Sequence, residues 1–176
     1  MTPCLNHAET APAGDGTHRL ALRPERAEDA PFLKSLYAST RAGELNLTGW
    51  DAATRGAFLE MQFMARGQGY RSLRPAADFF IVQLGTEPVG RLVLQRSADE
   101  FRVVDIALLP EHRNRGMGTF LLRQVCAQAD AAEKPVRLSV MMNNPARRCY
   151  ERLGFVKLGE TGQHELMERP PAATKS

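Results

Sequence analysis

Apolar residues recur along this chain with two different periods, and the period changes at turn-forming residues. Residues 18–23 (HRLALR) alternate polar and apolar side chains, as a half-buried strand does. From Glu28 onward, Ala30, Leu33, Leu36 and Tyr37 fall at helical spacing, so a first helix follows. Thr48, with Asp51 three residues later, has the form of a capping arrangement ahead of a second helix. That helix carries Phe58, Met61 and Met64 on one side, with Leu59 and Phe63 beside them, and glycines at 67 and 69 predict that it fades there. The Met and aromatic stripe reads as core; bordering a pocket is its second reading.

Three strands come next in one run. They are residues 79–84, residues 89–95 after the turn Gly85-Thr86-Glu87-Pro88, and residues 101–109. Residues 116–131 then predict a helix that buries Leu121, Leu122, Val125, Cys126 and Ala129. A strand at 136–141 precedes a short helix at 145–153, with Asn144 as its N-cap and Pro145 in its first position. Residues 155–159 and 164–168 read as two final strands. There is no internal repeat, and no linker after residue 18. The expectation is one α/β domain over 18–170, with a disordered leader at 1–17 and a flexible tail at 171–176.

Composition narrows this reading without redirecting it. A chain of 176 residues suits one core, and 43% hydrophobic with 24% charged residues is an ordinary globular mixture. The 23 basic and 20 acidic residues leave a formal charge of +3, too little for a nucleic-acid coat or a polybasic membrane face. The basic residues cluster locally instead, at His112-Arg113-Asn114-Arg115 and at Arg147, Arg148 and Arg152. Cys4, Cys126 and Cys149 are odd in number and lack a Cys-x-x-Cys pair, which suits a reduced, cytoplasmic chain. No stretch approaches the roughly 20 apolar residues of a membrane helix, and residues 1–17 lack the apolar core of a signal peptide. His7, His18, His112 and His164 have no metal-ligand spacing, so no metal is expected.

The chemistry concentrates where the strand at 101–109 gives way, through Pro110 and a basic loop, to an apolar-faced helix opened by Gly116 and Gly118. Unpaired N–H groups at a helix start, together with the helix dipole, form an anion site. Glycine at 116 and 118 lets a diphosphate approach the backbone, and Arg113 and Arg115 add charge. A Walker loop would need Lys-Ser/Thr, which is absent here. A dinucleotide fingerprint would need a small residue at 121, which is Leu. A glycine turn that merely packs is the remaining alternative.

A second motif follows one helix and one strand later: Asn143-x-x-Ala146-x-x-x-Tyr150-x-x-x-Gly154-Phe155. Ala146 and Tyr150 share a helix face, and Gly154 is placed for a left-handed C-cap. Together with Arg113-x-x-Gly116-x-Gly118, it closely resembles the GCN5-related N-acetyltransferase (GNAT) superfamily, over residues 18–169 and most strongly over 101–156. The resemblance implies the GNAT fold: a single mixed β-sheet flanked by helices, split where the strands at 101–109 and 136–141 diverge. It implies acetyl-CoA as co-substrate and an amine as acceptor, in a monomer or homodimer.

The resemblance also implies roles for individual residues. The backbone N–H groups of Arg113, Asn114, Arg115, Gly116, Met117, Gly118 and Thr119 would hold the CoA diphosphate. The strand ending Leu108-Leu109 would pair with the pantetheine arm, the N–H near Leu108 polarising the thioester carbonyl. Asn143 would bond the pantetheine or adjacent backbone, with Ala146 and Tyr150 on the helix beside it. Chemistry independently suits Tyr150 as proton donor to the leaving thiolate, since a phenol titrates near 10; its other reading is a core tyrosine packed on Phe155. Asp105, the one acid in its strand, reads equally as a general base or as a structural acceptor for nearby arginines. Cys149 lies about 100° around the helix from Tyr150 and is not expected to be a nucleophile. In the family the acceptor pocket is built mainly by the first two helices and the last strands; Trp50, with Arg41 and Glu44, is a candidate to line it. The expected activity is N-acetyl transfer by direct attack in a ternary complex. A non-catalytic acyl-CoA-binding module and a transferase acting on macromolecular amines are the alternatives.

Overall fold

The computed structural model describes residues 20–45 and 49–172, and it builds a seven-stranded mixed sheet from them. β1 (Leu20–Pro24), β2 (Ala77–Leu84), β3 (Glu87–Arg96) and β4 (Phe101–Leu108) pair antiparallel in that order. β4 then runs parallel to β5 (Val136–Met141), which needs a crossover, and α3 (Met117–Ala131) supplies it. β7 (His164–Arg169) pairs antiparallel with β5, and β6 (Val156–Thr161) forms the outer edge beyond it. α1 (Ala30–Leu45) and α2 (Ala52–Leu73) precede β2, and the short α4 (Arg147–Arg152) follows β5. Residues 1–19, with the predicted leader, Cys4, His7 and His18, lie outside the described residues, as do Thr48 and 173–176.

Side-chain alternation on β3 divides the interior. Val89, Leu92 and Leu94 are fully buried in a cluster with Met117, Leu121, Leu122, Val125, Cys126 and Ala129 of α3. Each large side chain so buried contributes about 1.5–3 kcal/mol by leaving water. Val93, also fully buried, lies outside that cluster, as does Leu36 of α1. Strand alternation puts Val93 and Arg91 on the opposite face, toward α1.

The strands at 79–84, 89–95, 101–109 and 136–141 form as their patterns predicted, to within two residues. The helices depart from expectation in three ways. Asp51, not Thr48, caps α2, its carboxylate accepting from the Thr54 N–H at 2.8 Å. α2 also runs straight through Gly67 and Gly69 to Leu73, because neither glycine takes a positive φ. It stops at Arg74, the residue before Pro75, where the proline ring disfavours helical backbone. Finally, α4 begins at Arg147, because the Asn144 side-chain oxygen accepts from the Ala146 N–H at 2.9 Å and makes a turn of the Asn-Pro step.

The Met and aromatic stripe of α2 is not core. No α2 residue is buried, and Met61 and Met64 are 60% and 54% exposed. α2 packs on α1, through the Tyr37 hydroxyl donating to Gln62 at 3.0 Å and a Lys34–Glu60 ion pair, rather than on the sheet.

Gly90 lies opposite Leu108, and a Cβ there would meet the Ala107 carbonyl oxygen at 2.5 Å and the Leu108 side chain at 2.6 Å. Gly90→Ala is therefore expected to cost about 1–3 kcal/mol through overpacking. A urea unfolding midpoint equal to that of the parent protein would show that β3 and β4 do not press together here.

Candidate active site

The two central strands begin paired and then part. Phe101, Arg102 and Val103 pair with Val136, Arg137 and Leu138, and no pair follows. At the parting point β4 carries a bulge: Val93 faces Asp105 and Leu94 faces Val103, leaving Val104 as the extra residue. Beyond it β4 stays paired with β3, and the Leu109 N–H reaches the Val89 carbonyl at 2.9 Å. Antiparallel alternation then turns the N–H groups of Ile106 and Leu108 away from β3, into the gap left by β5. The bulge was not visible in the sequence, because Val103-Val104 continues an ordinary apolar strand.

The gap leads to the start of α3. Gly116 is the N-cap with φ +80°, a left-handed conformation that glycine takes without strain, and Asn114 joins it at φ +57°. The first helical hydrogen bond runs from the Phe120 N–H to the Gly116 carbonyl at 2.9 Å. The N–H groups of Met117, Gly118 and Thr119 thus have no partner within the helix, and a helix start concentrates positive potential there. A Cβ on Gly118 would meet only the Leu108 side chain, at 3.9 Å. Gly118 is accordingly not required by packing; it leaves the backbone bare.

Arg113 departs from its expected place. Its own N–H is used by the Pro110 carbonyl at 3.2 Å, and its guanidinium donates to the Leu108 carbonyl at 2.8 Å. Arg115 is exposed beside the helix start.

Tyr150 projects from α4 and is 8% exposed. Its ring meets Phe155 edge-on at 5.9 Å, so the core contact read from the sequence exists, yet Tyr150 also lines a cavity on its other side. Burial, assisted by the neighbouring Cys149 and Asp105, pushes its phenol up to about 12. Gly154 closes α4 with φ +89°, as expected of a left-handed cap. The Cys149 sulfur lies 3.1 Å from the Thr119 hydroxyl, which ties α4 to the start of α3.

This cavity, of about 980 Å³, opens between α1, α2 and the parted strands. Asp105 and Tyr150 are both in its wall, with Val104, Ile106 and Ala107 of β4 and Ser139 and Val140 of β5. Asp105 holds Arg66 of α2 at 3.0 Å and lies 3.8 Å from Arg91 of β3. Arg91 in turn lies 3.2 Å from Glu25, whose other oxygen takes Arg71 at 2.7 Å. The Arg66 guanidinium also donates to the Tyr70 hydroxyl at 2.8 Å and stacks on the rings of Tyr37 and Tyr70. The sequence reading found Asp105 but missed Arg66, Arg91, Tyr70 and Glu25. They come from three segments of the chain, Glu25 just after β1, Arg66 and Tyr70 four residues apart on α2, and Arg91 on β3, and no local spacing joins those segments.

Other expected residues fall elsewhere. Leu108, which ends β4, Leu109 and residues 113–119 are not in the cavity wall. Asn143 and Ala146 are not in the wall, whereas Asn144 is. Trp50 packs edge-on against Phe58 at 5.1 Å and does not line the cavity, while Arg41 does. The side chain of Glu44 lies outside the described residues.

Residues 75–157 match the acetyltransferase (GNAT) domain family. The fold is shared with PaiA N-acetyltransferase from Thermoplasma acidophilum in complex with coenzyme A, at 18% identity and a TM-score of 0.64 over 86% of this chain and 98% of that one. An acetyltransferase from Thermus thermophilus matches at 24% identity and a TM-score of 0.64, over 86% and 96%. A ribosomal-protein-S5-alanine acetyltransferase from Vibrio fischeri matches at 15% identity and a TM-score of 0.57, over 89% and 96%. The matched segment and the shared fold agree with the resemblance drawn from the two motifs, and the mixed, splayed sheet expected from them is present.

The glycines at 116 and 118 are expected to respond oppositely to alanine. Gly116→Ala should lose roughly 1–2 kcal/mol, because its left-handed backbone burdens a Cβ. Gly118→Ala should gain up to about 1 kcal/mol of helix stability. Thermal unfolding of both variants measures this, and a destabilised Gly118→Ala would mean that the position is under packing constraint after all.

Proposed function

We propose that this protein transfers the acetyl group of acetyl-CoA to the primary amine of an acceptor bound in the cavity, by direct attack in a ternary complex. One observation carries the reading. The backbone edge bared beyond Val103 of β4 runs from the unpartnered N–H groups of α3 to the cavity that holds Tyr150. An extended pantetheine arm is complementary to such an edge, because its amides can take the place of the missing strand. The diphosphate would then lie at Asn114–Thr119, held by bare amides and the helix dipole, with Arg113 and Arg115 able to swing toward it. The Leu108 N–H would polarise the thioester carbonyl, and Asn143 and Ala146 would flank the arm.

Each remaining residue has one task. Attack by the neutral amine forms the C–N bond and breaks the C–S bond; the Tyr150 phenol protonates the departing thiolate, and the proton lost by the nitrogen restores the phenol by way of solvent in the open cavity. The phenol titrates near 12, so it stays protonated throughout the neutral range. Asp105 acts as a structural acceptor that seats Arg66 and Arg91, the reading its two ion pairs support. The amine needs no dedicated base if it binds among guanidinium groups, since nearby positive charge favours the neutral, nucleophilic form. Cys149 is engaged with Thr119 and takes no part in the chemistry. A protein using this donor works in the cytoplasm, where acetyl-CoA is made available, and its two described cysteines are unpaired.

Isothermal titration with coenzyme A, followed by initial rates with acetyl-CoA and a panel of amines, tests the reading. Saturable heat and intersecting initial-rate lines are expected. Heat without turnover of any amine would identify an acyl-CoA-binding module instead. Gly118→Val should abolish the heat while leaving the fold intact, because the added side chain stands where the diphosphate must approach; unaltered affinity would refute that placement. Tyr150→Phe should lower kcat by roughly 10²–10⁴-fold with little change in acetyl-CoA KM. In the parent enzyme no loss of rate assignable to Tyr150 is expected between about pH 7 and about pH 10, because a donor with a raised pKa stays loaded until the pH nears that value. A kcat in the phenylalanine variant equal to the parent's would return Tyr150 to the core.

A further inference from the structure

The cavity wall is unbalanced in charge. It presents Arg26, Arg66, Arg71 and Arg91, with Arg41 beside them, against only two carboxylates, Glu25 and Asp105. Those two are already engaged, Glu25 with Arg71 and Arg91 and Asp105 with Arg66 and Arg91. Even with Arg41 set aside, the wall keeps an excess of guanidinium over carboxylate.

Arg66 is the guanidinium best prepared to receive a ligand. Asp105 takes its Nη2 at 3.0 Å, and the Tyr70 hydroxyl takes its Nε at 2.8 Å. The Tyr37 and Tyr70 rings lie 5.7 Å and 5.1 Å from its centre, so the planar group is held in place. Its Nη1 has no hydrogen-bond partner among the described residues, although the side chain is only 34% exposed. A guanidinium fixed in this way meets planar or tetrahedral oxyanions with parallel N–H donors.

We infer that the acceptor is a small amine that also carries an anionic oxygen group, a carboxylate or a phosphate, and that Arg66 receives this group. The inference rests on the transferase reading above and supplies the acceptor class that reading leaves open. An amino acid or a phosphorylated amino alcohol has this chemistry. A polyamine has the reverse: each added ammonium would meet the same excess of positive charge.

Initial rates with acetyl-CoA and the intact protein, using glutamate, phosphoethanolamine, ethanolamine and spermidine as acceptors, test it. At least one anionic amine is expected to exceed ethanolamine in kcat/KM by about tenfold or more, with spermidine poorest, as a desolvated charge contact of this kind allows. The better of glutamate and phosphoethanolamine tells carboxylate from phosphate. Arg66→Gln should shrink the preference for the anionic amine about tenfold, and Arg66→Lys should restore part of it. Spermidine or ethanolamine matching the anionic amines overturns the inference while leaving the transferase reading standing. A preference that survives Arg66→Gln overturns the role of Arg66. Absence of turnover with every amine, together with absence of coenzyme A heat, brings down the transferase reading and this inference with it.

Discussion

The structure turns on a pairing that is begun and not finished. β4 and β5 share three residue pairs and then separate, leaving the main-chain N–H groups of Ile106 and Leu108 facing the gap in the middle of a sheet. Interior backbone groups deprived of a partner are costly, and a native protein keeps them only where water or a ligand completes the bonding. The bulge at Val104 makes the separation possible by adding a residue to β4 while β3 stays in register on its other side. Crossover helix, cavity and Tyr150 are all arranged around the opening that results.

Three glycines near this opening act for different reasons. Gly116 supplies the left-handed turn from which α3 starts. Gly118 adopts ordinary helical backbone, and a Cβ there would make only an ordinary contact with Leu108, so its lack of a side chain serves approach rather than conformation. Gly90 gives room for Leu108 on the neighbouring strand, which keeps the last residue of β4 in line. The same residue type thus meets a torsional, a steric and a packing requirement within one site.

The ionic chain from Arg71 through Glu25, Arg91 and Asp105 to Arg66 lies across the cavity wall. Burying such groups gains little net stability, because desolvation offsets most of the attraction. The Arg91–Glu25 contact leaves the Arg91 Nε and Glu25 Oε2 without well-formed hydrogen bonds, which fits a wall shaped for something other than stability. Its organisation instead presents positive charge to a confined space, where the local dielectric strengthens interactions with a bound molecule.

Much of this was legible in the sequence because it depends on neighbours along the chain. Apolar runs set off by turn residues marked the strands at 79–84, 89–95, 101–109 and 136–141. Gly116, Gly118 and the Asn143-to-Gly154 motif marked a helix start and a short capped helix, since capping and left-handed turns are settled within a few residues. Tertiary structure decided what local spacing does not encode. The stripe of Met61 and Met64 resembled core, yet α2 was held by α1 over a cavity, so the same apolar spacing left Met61 in solvent and put Phe63 and Met64 in the cavity wall, the stripe's second reading. Arg66 and Arg91 lie 25 residues apart in sequence and meet at Asp105 only through the β3–β4 register and the docking of α2. Burial and long-range charge pairing depend on how elements pack, and that is set by the whole chain at once.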